Sequence, residues 1–220
     1  VIQLFCGYDS REAIGYHVFC ASVLNNSTRP VSFTPLAAMG LPQGSNAFTL
    51  SRFLVPRLSL WKGHAIFADA SDMLMLGDVA KLDALFDNRY AVQLVKHPTY
   101  QTRHPVKYRG TPLQCDNRDY DRKNWASLMI FNCEHPAWRH VSPAALAKRP
   151  TLEWLQLRHL DDSDIGDLPP EWNCLADEGH NVCSAKVLHW TAGIPAFAAY
   201  RTAPGAKHWH DELAGLKAAA

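Results

Sequence analysis

The stretch FADASDMLMLGDVAKL, residues 67–82, decides the fold. It closes an apolar run, HAIFA, that reads as a buried strand, and it delivers Asp69 and Asp72 to the open end of that strand. A second apolar run, MLML, follows at once, and Val79, Leu82, Leu85 and Phe86 have the spacing of a short helix. Two carboxylates this close repel each other and are costly unless a cation or strong donors lie between them. A hard divalent ion completed by phosphate oxygens satisfies such a pair, because Mg²⁺ or Mn²⁺ is usually held by one or two carboxylates plus substrate phosphates. The competing reading is a turn, with Asp69 and Ser71 capping backbone and Asp72 solvated.

Working outward, strand and helix alternate through the first half. Residues 1–7 read as a strand, Asp9 and Glu12 as a capping pair, and a helix runs to about Leu24 with Ile14, Val18 and Ala21 on one face. Asn25 and Asn26 stop it. Val31, Phe33 and Pro35 mark a second extended stretch. Leu50, Phe53, Leu54, Leu58 and Trp61 have helical spacing, with Pro56 shifting the start or kinking the helix. Residues 90–95 predict a further strand, 97–123 a long polar loop, SLMIFNC from Ser127 a strand, 143–160 helices, and KVLHW from Lys186 a late strand. AGLKAAA, from Ala214, has good helix propensity. This rhythm predicts an α/β domain spanning 1–220 with a mainly parallel sheet. Ligands of such sheets sit beyond the carboxyl ends of the strands. Tyr8 and Asp9, Asp69 and Asp72, and Lys96 and His97 all fall there.

The second chemical feature is VLHWTAGIPAF, residues 187–197. A His at a strand end can offer a ring nitrogen to a metal, and Gly193 lets a phosphate approach the backbone. A lone His in this position is otherwise a packed or surface residue. Asp72 and His189 are expected to reach the edge of one sheet from neighbouring strands and to share an ion.

Bulk properties exclude some classes. With 47% hydrophobic and 20% charged residues the chain can bury a core, so disorder is excluded. A formal charge of +1 gives no argument for a nucleic-acid partner. The six cysteines form no C-x-x-C pair, so a structural zinc site is not expected. The chain opens on an apolar strand-like run, and no apolar run is long enough to span a membrane. A cytoplasmic location with reduced thiols is the expectation, a lumenal domain trimmed of its anchor the alternative.

Several segments together resemble glycosyltransferase family eight and its relatives. Their fold is the Rossmann-like GT-A type of nucleotide-diphospho-sugar transferases, with a mixed, mostly parallel central sheet and helices on both faces. GYDSREAIGYHVFCASVLNN, from Gly7, resembles the strand and helix that hold the nucleoside. FTLSRFLVPRL, from Phe48, resembles the helix whose arginine, here Arg52, faces the donor. FADASDMLMLGDVAKL resembles the D-x-D strand. LPPEWN, from Leu168, and VLHWTAGIPAF resemble the closing L-P-x-x-Y-N and H-F-x-G-x-x-K-P-W segments.

The resemblance implies a retaining transfer from a nucleotide diphosphate sugar, usually a UDP-sugar, with Mn²⁺ bridging the phosphates, to an acceptor that it does not name. It assigns Asp69, Asp72 and His189 to the metal. Tyr8, Asp9, Arg52, Asp69, Ser71, Asn132, Trp190 and Gly193 become donor contacts, with Ser127 a further candidate. Three departures stand out. The acidic pair is spaced D-x-x-D. The closing Lys is replaced within IPAF, leaving Lys96, Lys107, Lys123 or Arg201 as substitutes. The Asp-Gln pair before L-P-x-x-Y-N is missing, and Glu153 and Gln156 are the nearest catalytic candidates. Trp172 and Trp190 have the option of stacking on sugar or uracil or of packing in the core. The rival readings are a metal-dependent phosphohydrolase or nucleotidyltransferase, and a non-catalytic nucleotide-sugar binding module.

Overall fold

The computed structural model describes residues 1–42 and 44–219. Its strands and helices, in chain order, are β1 (Ile2–Gly7), α1 (Ala13–Asn26), β2 (Val31–Leu36), α2 (Val55–Leu58), β3 (His64–Ala68), β4 (Met73–Met75), α3 (Val79–Asp83) and β5 (Val92–Leu94). They continue with β6 (Val106–Lys107), β7 (Cys115–Asp116), β8 (Leu128–Asn132), α4 (Pro143–Lys148), α5 (Thr151–Leu155), β9 (Ile165–Asp167), β10 (Cys174–Leu175), β11 (Val187–His189) and α6 (Ala206–Ala219). Ala220, the last residue of the expected C-terminal helix, lies outside the described residues.

Six strands form the main sheet in the order β2-β1-β3-β8-β5-β9. The β1–β2, β1–β3 and β5–β9 pairs are parallel, and β8 runs antiparallel to both β3 and β5. The sheet is thus mixed and mostly parallel, as expected. Alternating side chains serve two cores, as the two-residue period of a strand requires. Phe5, Ala65, Phe67, Met129 and Phe131 pack with Phe53, Leu54 and Trp154 on one face. Leu4, Cys6, Ile66, Ala68 and Ile130 pack with Phe19 and Val23 of α1 on the other.

Local rules explain the ends of these elements. Asp9 caps the turn before α1 by accepting the Arg11 N–H, whereas Glu12 makes no cap bond and is buried instead. The buried face of α1 is Gly15, Val18, Phe19, Ser22 and Val23, and Ile14 lies outside it, 41% exposed. Gly15 is needed there, because a Cβ would collide with the Ser71 carbonyl oxygen. Pro56 sits in the first turn of α2, where its missing N–H costs nothing.

One expectation about the topology is corrected. His189 does not belong to the main sheet. β11 pairs antiparallel with β4 and parallel with β10 in a separate three-stranded sheet, with His189 opposite Met73. The chain leaves β3 through a 3-10 turn, Ala70–Asp72, and enters this second sheet at Met73. Asp69 and Asp72 therefore occupy the junction of the two sheets. Among the described residues, no helix is long and apolar enough to cross a membrane, and the six cysteines are free thiols.

Candidate functional site

The turn after β3 is what makes a D-x-x-D spacing workable. Its backbone closes with the Asp72 N–H donating to the Asp69 carbonyl at 3.1 Å, which turns both carboxylates towards one point. The second sheet brings His189 to that point: the Trp190 N–H donates to the Asp72 carbonyl at 3.0 Å. His189 Nε2 then lies 3.5 Å from Asp72 Oδ1. One ligand atom each from Asp69, Asp72 and His189 can be chosen so that all three lie within 4.8 Å of one another. Two ligands on opposite sides of an ion at roughly 2.1 Å stand about 4.2 Å apart, so a pair at the 4.8 Å limit would close by about 0.6 Å or more to share one ion.

The donor chemistry fits a divalent cation. Oδ1 of Asp69 and Oδ1 of Asp72 are both buried without a hydrogen-bond donor. Such oxygens are costly unless a cation meets them; Arg52 Nη1 meets Asp69 Oδ1 at 2.8 Å, whereas Asp72 Oδ1 has only the His189 ring, at 3.5 Å. His189 is oriented from behind. Its Nδ1 lies 3.0 Å from Asn173 Oδ1, which can only accept, so a proton sits on Nδ1 and in the neutral ring the Nε2 lone pair faces the carboxylates. Asn173 is itself fixed, its Nδ2 donating to Ser127 Oγ at 2.9 Å and to the Asn124 carbonyl at 3.3 Å. A carboxamide behind a ligating histidine sets its tautomer and aim in the same way as the carboxylates and carbonyls that usually stand there.

Arg52 supplies the counter-charge. It is 3% exposed, and its Nη1 lies 2.8 Å from Asp69 Oδ1, an ion pair without hydrogen-bond alignment. Nε donates to the Thr49 carbonyl, Nη1 donates to the Ala126 carbonyl, and the guanidinium rests on the rings of Phe48 and Phe67. Burial pushes the Asp69 carboxyl up; Arg52 opposes this, the Asp72 charge adds to it, and the result is about 6. Burial pushes His189 towards its neutral form, but the charges of Asp72 and Asp69 outweigh it and hold the ring above its usual 6.5.

These groups line a void of about 60 Å³ together with Lys107, Tyr108, Tyr120, Asn124 and Ser127. That is room for an ion with one or two waters. A cleft of about 420 Å³, lined by Tyr100, Trp125 and Lys123 among others, shares Tyr120 with it.

Several expected donor contacts are placed elsewhere. β8 is antiparallel to β3, so Ser127 and Leu128 meet the Asp69 edge while Asn132 lies opposite His64 at the far edge, donating to the Asn88 carbonyl. Ser127 reaches the site and Asn132 does not. Trp190 is 1% exposed, packed with Val18 and Trp209, and its indole N–H donates to the Pro204 carbonyl. Trp172 is likewise a core residue. Gly193 is required by the Tyr200 ring, which a Cβ would strike, and neither residue lines the void. Ser71 is fully buried and donates to the Gly7 carbonyl at 3.4 Å. Asp9 is consumed by Arg11 and the Ala47 N–H, and Tyr8 packs edge-on against Tyr16. Glu153 is exposed on α5, and neither it nor Gln156 lines the void; the sequence proximity that nominated them does not survive the turn at Leu157. His97 sits beside His180, pushed down to about 3 by burial.

Two features were missed from sequence. Asn173 closes LPPEWN, and its signal was position: β10 follows at once, in register with β11, so that Leu175 faces His189. The other is the acidic pair Asp177 and Glu178. Asp177 accepts the N–H groups of Thr191 and Ala192, fixing the turn after His189. Glu178 accepts from the Tyr100 and Thr102 hydroxyls and the Arg103 N–H, all at 2.7 Å, tying down the start of the 97–123 excursion.

No protein-family model matches the chain. Among solved structures it superposes on the WbbM bifunctional glycosyltransferase with a TM-score of 0.69 at 14% identity, over 97% of this chain and 50% of that one, so it spans half of that protein's length. On the galactosyltransferase LgtC, in complex with donor and acceptor sugar analogues, the score is 0.64 at 12% identity, over 97% and 96% of the two chains. On the glycosyltransferase GlyE of Streptococcus pneumoniae TIGR4 it is 0.63 at 10% identity, over 96% and 60%. At these identities the likeness is one of fold, and the fold is the GT-A glycosyltransferase type. In sequence, the chain is 33% identical to Protein CDI of Arabidopsis thaliana over 229 residues, covering 96% of this chain and 85% of that protein. The chain belongs to the family of that plant protein.

Proposed function

We propose that residues 1–220 form one metal-dependent, retaining glycosyltransferase domain of the family-eight kind, which moves a sugar from a UDP-sugar to a hydroxyl of an acceptor. One observation carries this reading. Asp69, Asp72 and His189 converge at the carboxyl edge of β3, with Asp72 Oδ1 buried and without a donor and Asp69 Oδ1 met only by the Arg52 ion pair. LgtC, whose structure holds donor and acceptor sugar analogues, shares the fold and supports the donor class.

In this reading Asp69, Asp72 and His189 hold Mn²⁺ or Mg²⁺, which when bound supplies Lewis acidity at the diphosphate oxygens. Asn173 keeps the His189 ring aimed and, in the neutral ring that a cation needs, holds the proton on Nδ1, and Arg52 offsets the charge of Asp69. Among the described residues, the carboxylates lining the void are Asp69 and Asp72. Both would be committed to the cation, and the adjoining cleft that shares Tyr120 carries Asp119 and Asp121. Retention is what the family resemblance implies; it would proceed by front-face attack, in which the acceptor hydroxyl approaches on the side the diphosphate leaves and a leaving phosphate oxygen takes its proton.

The test is a thermal-shift and calorimetric screen of UDP, GDP and CMP, each with Mn²⁺ or with EDTA, followed by NMR of the transferred sugar's anomeric proton. A ligand of the folded state raises stability by mass action. Stabilisation by UDP in Mn²⁺ but not in EDTA, with a retained anomer, is the expected result. Equal stabilisation in EDTA, or an inverted anomer, overturns the corresponding part of the reading.

A further inference from the structure

Lys107 occupies a position that the hydrogen-bonding and ion-pairing of the chain leave unexplained. It is half-buried and lines the same void as Asp69, Asp72 and His189. Its ammonium has neither an ion-pair nor a hydrogen-bond partner among the described residues, although Asp69 and Asp72 line the same void. The other candidate cations are spent or distant. Lys123 Nζ donates to Asn117 Oδ1 at 2.7 Å and to the Arg118 carbonyl at 2.9 Å. Lys96 pairs with Asp167 at 3.1 Å, and Arg201 is exposed away from the void.

The backbone around Lys107 is held far more firmly than a surface loop requires. Val106 and Lys107 form β6, paired antiparallel with β7. The Tyr108 N–H donates to the Ala192 carbonyl at 2.7 Å, three residues beyond His189. The Asn117 N–H donates to the Pro105 carbonyl, and the Asn117 side chain donates to the His104 carbonyl and to Thr102 Oγ1. Upstream, Glu178 pins Tyr100, Thr102 and Arg103. The excursion is therefore a built strut whose effect is to present one unpaired ammonium to the void.

We infer that Lys107 is a catalytic residue that binds the diphosphate of the donor and stabilises the charge developing on it as the glycosidic C–O bond breaks. This rests on the donor reading above. When that bond breaks its electron pair stays on the diphosphate oxygen, so a fixed cation helps most in the transition state. An ammonium is suited to this task as a point charge on phosphate oxygens.

The experiment is calorimetry of Mn²⁺ with UDP, with inorganic pyrophosphate and with uridine, on the wild-type chain and on Lys107→Ala, Lys107→Met and Lys107→Arg. Electron paramagnetic resonance of Mn²⁺ alone and circular-dichroism melting serve as controls. Losing one charge-assisted contact predicts about tenfold weaker UDP and pyrophosphate binding in the Ala and Met variants. Uridine and Mn²⁺ binding should be unchanged, and Lys107→Arg should recover most of the loss. UDP binding within twofold of wild type in Lys107→Ala and Lys107→Met overturns the inference and leaves the donor reading intact. Wild-type binding of pyrophosphate but not UDP, lost in Lys107→Ala, keeps the inference and overturns the nucleotide. Binding of neither probe overturns both.

Discussion

Asn173 accepts the Nδ1 proton of His189 at 3.0 Å, and this single contact leaves the opposite ring nitrogen facing Asp72 at 3.5 Å. The tautomer is thus set from LPPEWN, a segment that touches no carboxylate of the trio. Asn173→Ala is expected to weaken Mn²⁺ binding by roughly tenfold or more, the usual effect of removing a partner behind a ligand. Paramagnetic-resonance titration reads this directly. An affinity equal to wild type would reduce Asn173 to a packing residue.

Asp72 and His189 are predicted to act as a unit. Asp72→Asn and His189→Ala should each abolish most Mn²⁺-dependent UDP binding, and the double variant should be little worse than either, because neighbours sharing one partner are non-additive. Losses that simply sum would place the two residues on different ligands.

Metal binding should depend on pH with a definite sign. A bound cation needs His189 neutral and Asp69 ionised. His189 is held above 6.5 by Asp72 and Asp69, and Asp69 stands at about 6. Protons compete below these values, so Mn²⁺ affinity should fall steadily as pH drops from 8 to 6. A flat profile over that range contradicts the assignment of these two groups.

Glu12 provides a stability test that needs no ligand. It is 3% exposed, its Oε1 has no donor, and burial, then Asp72 and Asp9, push its carboxyl up to about 8 from 4.5. Because the folded value lies above the unfolded one, this group's stabilisation is complete below about pH 4.5. It is lost as pH rises towards 8. Glu12→Gln should therefore gain stability relative to wild type between pH 5 and 8. Each pH unit separating the folded and unfolded values is worth about 1.4 kcal/mol, so the gain should exceed roughly 1 kcal/mol by pH 8. Parallel melting curves for the two chains across that range would falsify this.

What could be read from sequence follows a physical divide. The strands of the sheet, the Asp69–Asp72 turn and His189 were legible because apolar runs broken by acids or a histidine are one-dimensional signals. The direction of β8 was not, since LMIFN reads alike in either direction, and that reversal moved Asn132 to the far edge and Ser127 to the near one. Trp190 packs in the core because successive residues of an extended segment alternate sides, and Gly193, four residues beyond His189, lies against the Tyr200 ring. Lys107 was one of four candidates on sequence; what separates it is its place in the lining of the void without a partner, set by the β6–β7 pairing and the Tyr108–Ala192 bond.

Glu178→Ala tests whether the excursion is a strut for the site. The substitution strips acceptors from the Tyr100 and Thr102 hydroxyls and the Arg103 N–H. Each newly unpaired buried group costs about 1–3 kcal/mol, less where water can enter. The substitution also removes one acceptor of the Thr191 hydroxyl, which keeps Asp177 Oδ1. The Asp177 bonds to the Thr191 and Ala192 N–H groups stay, so the turn after His189 should hold and Mn²⁺ binding should not change. The start of the excursion should loosen, and with it the placement of Lys107. Three readouts follow: a lower melting temperature, faster amide exchange over residues 100–108, and weaker UDP binding at unaltered Mn²⁺ affinity. If Mn²⁺ and UDP affinities fall together, Glu178 supports the whole junction of the two sheets. If exchange over 100–108 stays at wild-type rates, β6, β7 and Asn117 hold the strut without it.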